Sequence, residues 1–129
     1  MKCADVMTKD PAFATPADTA RDTARRMRAL NVNVLPVCDA LGRLVGTVSD
    51  RDMVWRLVAN DHPATTHIRE VMSPEYVACL DTDETSAAAR CFAHAEPAPL
   101  LVTDAAGRLC GTIAPEALER ARASHRATG

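Results

Sequence analysis

Leu35-Pro36-Val37-Cys38-Asp39-Ala40-Leu41-Gly42-Arg43-Leu44-Val45-Gly46-Thr47-Val48-Ser49-Asp50-Arg51-Asp52 runs from an apolar stretch through a turn and a second apolar stretch into a polar cluster. Most of it returns as Leu100-x-Val102-x-Asp104-Ala105-x-Gly107-Arg108-Leu109-x-Gly111-Thr112. The match extends outward without a gap. Val6-Met7-Thr8 is answered by Val71-Met72-Ser73 and Asp18 by Asp83, always 65 positions on. A self-match at fixed period says that two copies of one supersecondary unit bury a core together. The copies part where Ser49-Asp50-Arg51-Asp52 faces Ala114-Pro115-Glu116-Ala117. The fold is duplicated and the chemistry is not.

Each copy reads as short strand, helix, strand, strand, helix. Phe13 to Thr15 is a brief extended segment closed by Pro16, which biases its predecessor away from helix. Asp18 has the chemistry of an N-cap, and Ala20, Ala24, Met27 and Leu30 follow at helical spacing. Arg21, Arg25 and Arg28 fall on another face as a solvated row, with Asp22 in reach of Arg25 or Arg26. Val34 to Val37 is a strand in which Pro36 marks an edge or an irregularity. Asp39 to Arg43 is a hairpin turn with Gly42 where positive φ is needed, and Leu44 to Val48 returns. A helix follows from Ser49 to about Asn60. Its Met53, Val54, Trp55, Leu57 and Val58 are apolar on more than one face, so a second molecule is expected to cover part of it. The second copy repeats the pattern with a strand at 76–79, a helix at 84–94, strands at 100–103 and 109–113, and a helix from Pro115. Ala95-Glu96-Pro97-Ala98-Pro99 stops its middle helix hard, and residues 120–129 have little to bury and should fray.

Composition excludes several classes. With 129 residues the chain is long enough for a real core, built from Val, Leu, Ala and Met because aromatics are only 3%. A net charge of -2 leaves no electrostatic footprint for nucleic acid or a membrane surface. No apolar leader or membrane-length run is present, so the expected location is cytoplasmic. Cys3, Cys38, Cys79, Cys91 and Cys110 are odd in number, scattered and outside any C-x-x-C pair. They read as small hydrophobes, and neither they nor His62 and His67 have metal-site spacing.

The cluster that only the first copy carries has two readings. A strand entering a helix N-terminus gathers backbone N–H groups and the positive dipole end, which favour a phosphate. Ser49 adds a hydroxyl and Arg51 a guanidinium fork, while Asp52 is an acceptor for both hydroxyls of a ribose. Ser-x-x-Asp is also close to a capping box. The second copy starts its helix with Ala114-Pro115 instead, so the unit does not need Ser and Asp to begin a helix. From the motif alone both readings stand.

V-M-T near the start, L-P-V-x-D-x-x-G-R-L-V-G-T-V-S-D-R-D in the first copy and L-L-V-x-D-x-x-G-R-L-x-G-T in the second resemble a CBS-domain pair, or Bateman module. The resemblance implies an α+β fold of two tandem β-α-β-β-α repeats packed with pseudo-two-fold symmetry. It implies a first repeat at 1–60, a linker at 61–70, a degenerate second repeat at 71–122 and a frayed tail at 123–129. Such modules bind adenine nucleotides in the cleft between repeats and regulate another protein. Carried over by position, Ser49 and Arg51 match phosphate contacts and Asp52 the ribose contact. Thr8, Lys9, Asp10 and Pro11, with Asn33, Val34, Leu35 and Pro36, match the adenine slot. Ala114 and Ala117 depart from the pattern, and Pro97 with Pro99 distorts the corresponding wall, which puts a second site in doubt. The resemblance also implies a homodimer through helices that include Met53, Trp55 and Leu57.

The leading expectation is therefore a non-enzymatic regulatory module that senses an adenine nucleotide of the AMP, ADP or ATP class as a ligand, with no cofactor. The alternative is an interaction or dimerisation module with no physiological nucleotide. An enzyme is disfavoured because no nucleophile–base pair, metal cluster or phosphate-loop lysine is present. The regulated target is expected to be another chain.

Overall fold

Gly46 and Gly111 sit where a second backbone segment crosses a hairpin strand, and those crossings organise the molecule. The computed structural model describes the backbone of residues 1–92 and 99–128, and the side chains of residues 1–90 and 99–121. In chain order the elements are α1 (Cys3–Val6), β1 (Thr8–Lys9), α2 (Ala20–Leu30), β2 (Val34–Cys38), β3 (Leu44–Ser49) and α3 (Asp50–Asp52), which a π-helical stretch (Met53–Val58) continues. A 3-10 turn (Ile68–Glu70) follows, then β4 (Ala78–Leu80), α4 (Thr85–Phe92), β5 (Leu100–Thr103), β6 (Leu109–Ile113) and α5 (Pro115–Thr128).

The chain divides into two compact units, Ala12–Tyr76 and Met1–Pro11 with Val77–Gly129. They cut across the sequence period: residues 1–11 belong with the second hairpin, and residues 71–76 with the first. In the second-repeat unit a four-stranded sheet has the order β1-β6-β5-β4. Thr8 pairs with Thr112, and β4 runs parallel to β5 with Cys79 opposite Val102. The first-repeat unit mirrors it in shorter form. Around the β2–β3 hairpin, Ser73 bridges Thr47 and Ala14 bridges Val37 in parallel. Each of these four pairings is its counterpart shifted by the sequence period. The strand expected over Phe13 to Thr15 is reduced to the single Ala14 bridge.

The glycines follow from these crossings. A Cβ on Gly46 would meet the Ser73 carbonyl oxygen and, at 2.5 Å, Met72 Cε; one on Gly111 would meet Met7 Sδ at 2.5 Å and Thr8 O at 2.9 Å. The hairpin turns are alike in both units. Asp39 Oδ1 accepts from the Leu41 and Arg43 amides at 2.9 Å while Oδ2 accepts Arg43 Nε. Asp104 does the same for Ala106 and Arg108. Gly42 and Gly107 take φ of 80° and 83°, where glycine alone escapes a steric cost. The Arg43 amide, more than its guanidinium, holds the Asp39 carboxyl below the ordinary carboxylate range.

Several local expectations change. Thr19, not Asp18, caps α2 by accepting the Asp22 amide at 3.1 Å. Asp18 instead accepts the Thr15 amide and hydroxyl, both at 2.9 Å, closing the preceding turn. Asp22 forms no ion pair among the described residues, and Arg26 donates to the Phe13 carbonyl. α5 runs from Pro115 to Thr128. The Ala95–Ala98 helix stop lies outside the described residues, as do the side chain of Cys91 and the whole of Pro97.

Each unit has its own core. Ala20, Met27, Leu35, Val37, Val48, Met53, Leu57 and Ile68 cluster in one; Cys3, Cys79, Ala88, Leu100, Val102, Ile113 and Leu118 cluster in the other. Met53 and Leu57 join the core of their own unit, each 9% exposed, and with Val58 they also line an open groove beside Ala20 and Ala24 of α2. The exposed apolar residues of that helix are Val54, Trp55 and Val58, with Trp55 at 63%. No described helix is long and apolar enough to cross a membrane.

Candidate functional site

Ser49 closes β3 and caps α3, so one residue serves as the last rung of a sheet and the first turn of a helix. The antiparallel register sets Val34 opposite Ser49 and Pro36 opposite Thr47 on one face of the hairpin; Leu35 and Val48 form a pair on the other. Leu35 and Val48 enter the core, which leaves Val34, Pro36, Thr47 and Ser49 together on the opposite face. The Asp50 amide donates to the Asn33 carbonyl at 2.9 Å, tying the start of β2 to the start of α3. Asn33, Val34, Pro36, Ser49, Arg51 and Asp52 are thus gathered at one end of the hairpin. Leu35 is adjacent in sequence, but its side chain belongs to the core. Thr8, Lys9, Asp10 and Pro11 lie in the other unit, Thr8 and Lys9 on β1 and Asp10 at a left-handed φ of 54°.

The capping box suspected from Ser-x-x-Asp is formed. Ser49 Oγ accepts the Asp52 amide at 3.1 Å, and Asp52 Oδ2 accepts the Ser49 amide at 3.0 Å. The Arg51 amide donates to Asp50 Oδ1 at 2.7 Å. With Asp50 N bonded to Asn33, the first three amides of the helix all have partners. The expectation of free N–H groups for a phosphate is corrected: the backbone donors are taken by Asn33, Asp50 and Ser49, and anion binding falls to side chains.

Those side chains keep capacity. A hydroxyl that accepts one bond still carries its own O–H donor, so Ser49 can donate outward. Asp52 spends Oδ2 on the cap; its Oδ1 lies 4.0 Å from Arg56 Nε, and the side chain is 16% exposed. That oxygen has lone pairs left for a diol. The Arg51 guanidinium stacks over the Trp55 ring, 4.8 Å from its centroid, and forms no ion pair with a described residue. Its forked donors are available to an anion. Sequence reasoning missed Thr47, whose side chain shares the Ser49 face; the Gly-Thr dipeptide kept in both copies was the available signal. It also missed the Arg51–Trp55 stack, although their four-residue spacing places them as neighbours on a helix.

The equivalent place in the second-repeat unit has none of this chemistry. Ala114 is exposed, Pro115 opens α5 without an N–H, and Ala117 packs its methyl against the local core. Elsewhere, burial pushes the Cys38 thiol up to about 11, which suits a packing residue and not a nucleophile. Among the described residues no group of His, Cys, Asp and Glu is placed to hold a metal.

The CBS-domain family model matches residues 3–59. The uncharacterized protein YlbB of Bacillus subtilis (strain 168) is 38% identical over 77 residues, covering 59% of this chain and 52% of YlbB. The chain spans about half the length of the curated relatives it matches. Among solved structures, CBSX2 in complex with AMP superimposes with a TM-score of 0.78 at 25% identity, over 97% of this chain and 98% of that one. A CBS domain pair/ACT domain protein from Thermotoga maritima gives a TM-score of 0.81 at 25% identity, with the same two coverages of 97% and 98%. With the hairpin, the crossing segment and the parallel rung repeated in both units, the chain has the α+β fold of a CBS-domain pair, and residues 3–59 match a CBS domain.

Proposed function

We propose that this CBS-domain pair is a non-enzymatic regulatory module that senses an adenine nucleotide at the Ser49–Asp52 corner of the first-repeat unit. The observation that carries this reading is an asymmetry: two hairpins with matching turns, crossings and registers lead into helices of opposite chemistry, Ser49-Asp50-Arg51-Asp52 against Ala114-Pro115-Glu116-Ala117. Ser49 Oγ–H and the Arg51 fork take phosphate oxygens, and Asp52 Oδ1 takes the ribose diol while Oδ2 keeps the cap. Asn33, Val34, Leu35 and Pro36 supply backbone and wall. Thr8, Lys9, Asp10 and Pro11 belong to the other unit. AMP in the CBSX2 structure supports the adenine class.

In the same proposal Val54, Trp55 and Val58, with Met53 and Leu57 in the groove beside Val58, form the contact of a two-fold homodimer. The proposed output is regulation of a protein target, and cytoplasmic residence fits a ligand of this class. The formed capping box favours a second reading, in which Ser49 and Asp52 serve structure alone and the module binds only proteins.

A thermal-shift screen of AMP, ADP, ATP, S-adenosylmethionine and nicotinamide dinucleotides separates the two, because a ligand that binds only the folded state raises its melting temperature. Stabilisation by an adenine nucleotide that Arg51→Ala weakens is the expected result. No shift with any of them favours the second reading. Light scattering that shows a monomer at roughly tens of micromolar, with or without nucleotide, removes the dimer.

A further inference from the structure

We infer that Trp55 is the resting place of the Arg51 guanidinium and that nucleotide phosphate draws Arg51 away from it, uncovering the indole on the exposed face of the π-helical stretch that continues α3. This rests on the nucleotide reading and adds how occupancy of the site is transmitted. Arg51 and Trp55 stand four residues apart on one continuous helical stretch, with the guanidinium 4.8 Å from the ring centroid. Both are exposed, and neither side chain donates a hydrogen bond to a described residue, so little besides the stack holds them. The carboxylates flanking Arg51 in sequence are occupied: Asp50 accepts the Arg51 amide, and Asp52 caps Ser49 and faces Arg56.

Two destinations then compete for one cation. A cation–π contact at an exposed site is weak, whereas a guanidinium fork on phosphate oxygens makes charge-assisted bonds that are stronger. Ser49 lies at the N-terminal end of the helix and Trp55 more than a turn further along it, so the guanidinium leaves the indole when it joins Ser49 on a phosphate. The stack thus acts as a small tax on nucleotide binding, and the vacated ring extends the apolar surface already formed by Val54 and Val58.

Trp55 is the chain's single tryptophan, so its emission reports the event directly. The experiment titrates the full chain with AMP, ATP and adenosine, reading tryptophan emission and calorimetric heat together. AMP and ATP are expected to change the emission, and adenosine, lacking phosphate, to leave it unchanged. Arg51→Ala should begin at the nucleotide-loaded emission and show no further change at saturation. Trp55→Ala should bind AMP about two- to fivefold tighter, since the competing stack is gone, with Trp55→Phe between it and the wild type. Binding heat without an Arg51-dependent emission change overturns this inference and leaves the nucleotide reading standing. The same emission change with adenosine, or weaker binding by Trp55→Ala, also overturns it. Absence of heat with every nucleotide overturns both.

Discussion

The Ser49 hydroxyl accepts the Asp52 amide at 3.1 Å while the Asp52 carboxylate accepts the Ser49 amide at 3.0 Å, so each side chain closes the other's backbone. This reciprocity means that the residues assigned to ligand binding also start a helix. Substitutions there have two consequences, which must be measured apart.

Asp52→Ala is expected to lose both roles. Loss of the cap should cost about 1 kcal/mol of stability. Loss of a charged acceptor for the ribose should cost about 1.5–3 kcal/mol of binding, or about one to two decades of affinity. Asp52→Asn keeps an acceptor for the Ser49 amide and loses the charge, so its melting temperature should stay nearer the wild type while its affinity falls. Calorimetric titration and thermal melts of the two variants check this. Equal affinity in wild type and Asp52→Ala would assign Asp52 to capping alone.

Gly46→Ala should be the more damaging of the two crossing-site substitutions. Its Cβ runs into a backbone carbonyl of Ser73 that is itself paired in the sheet, whereas at Gly111 the nearest atoms belong to the flexible Met7 side chain. Overpacking of this kind costs about 1–3 kcal/mol, and Gly46→Ala should lie at the upper end with Gly111→Ala below it. Urea unfolding of both variants at constant m gives the ranking, and the reverse order would contradict the crossing geometry.

Glu84 gives the fold an acid-sensitive clasp. It accepts Lys2 Nζ at 2.8 Å and the N-terminal ammonium at 3.1 Å. The Lys2 hydrogen bond first, then the one from the ammonium, holds its carboxyl at about 2 against an ordinary 4.5. A depressed folded value means that the contribution is present above the unfolded value and is lost as pH falls toward the folded one. Wild-type melting temperature should therefore drop relative to Glu84→Gln between pH 4.5 and about 2. The pair is exposed, so added salt should shrink the difference. Parallel melting curves across that range would show that the clasp contributes nothing.

Nucleotide stoichiometry should be one per chain. Ala114 and Ala117 supply no side-chain bond and Pro115 no amide. Losing contacts worth about 1–3 kcal/mol each moves a micromolar site toward millimolar or weaker. Two equal sites per chain in a calorimetric titration, or a ribose seated against Ala117, would contradict the asymmetry.

Features governed by neighbours in the chain are legible in the sequence. Asp39-x-x-Gly42-Arg43 makes its turn because the Asp39 carboxylate reaches amides two and four residues away and Gly42 needs no partner to adopt positive φ. β5 and β6 fall at the expected residues, and β2 and β3 each run one residue longer, because a buried apolar run bounded by such a turn has little freedom of register. Ser49 and Asp52 were readable as a local pair for the same reason, in both the capping and the ligand senses.

Other features depend on partners far away in sequence, and only the tertiary structure decided them. β1 has two residues, too few to carry a register signal, and its pairing with Thr112 and Gly111 is set by the close approach that the glycine allows. That pairing puts Thr8–Pro11 in one unit and Ser49–Asp52 in the other. The helix carrying Trp55 looks apolar all round in sequence, but packing assigns Met53 and Leu57 inward and leaves Val54, Trp55 and Val58 outside. The helix amides looked free for an anion, yet Asn33 takes the first of them through a strand that only the folded hairpin brings alongside. Periodicity and turn chemistry act over a few residues and are written in the sequence; a choice among distant partners is made by which contacts the folded chain can form at once.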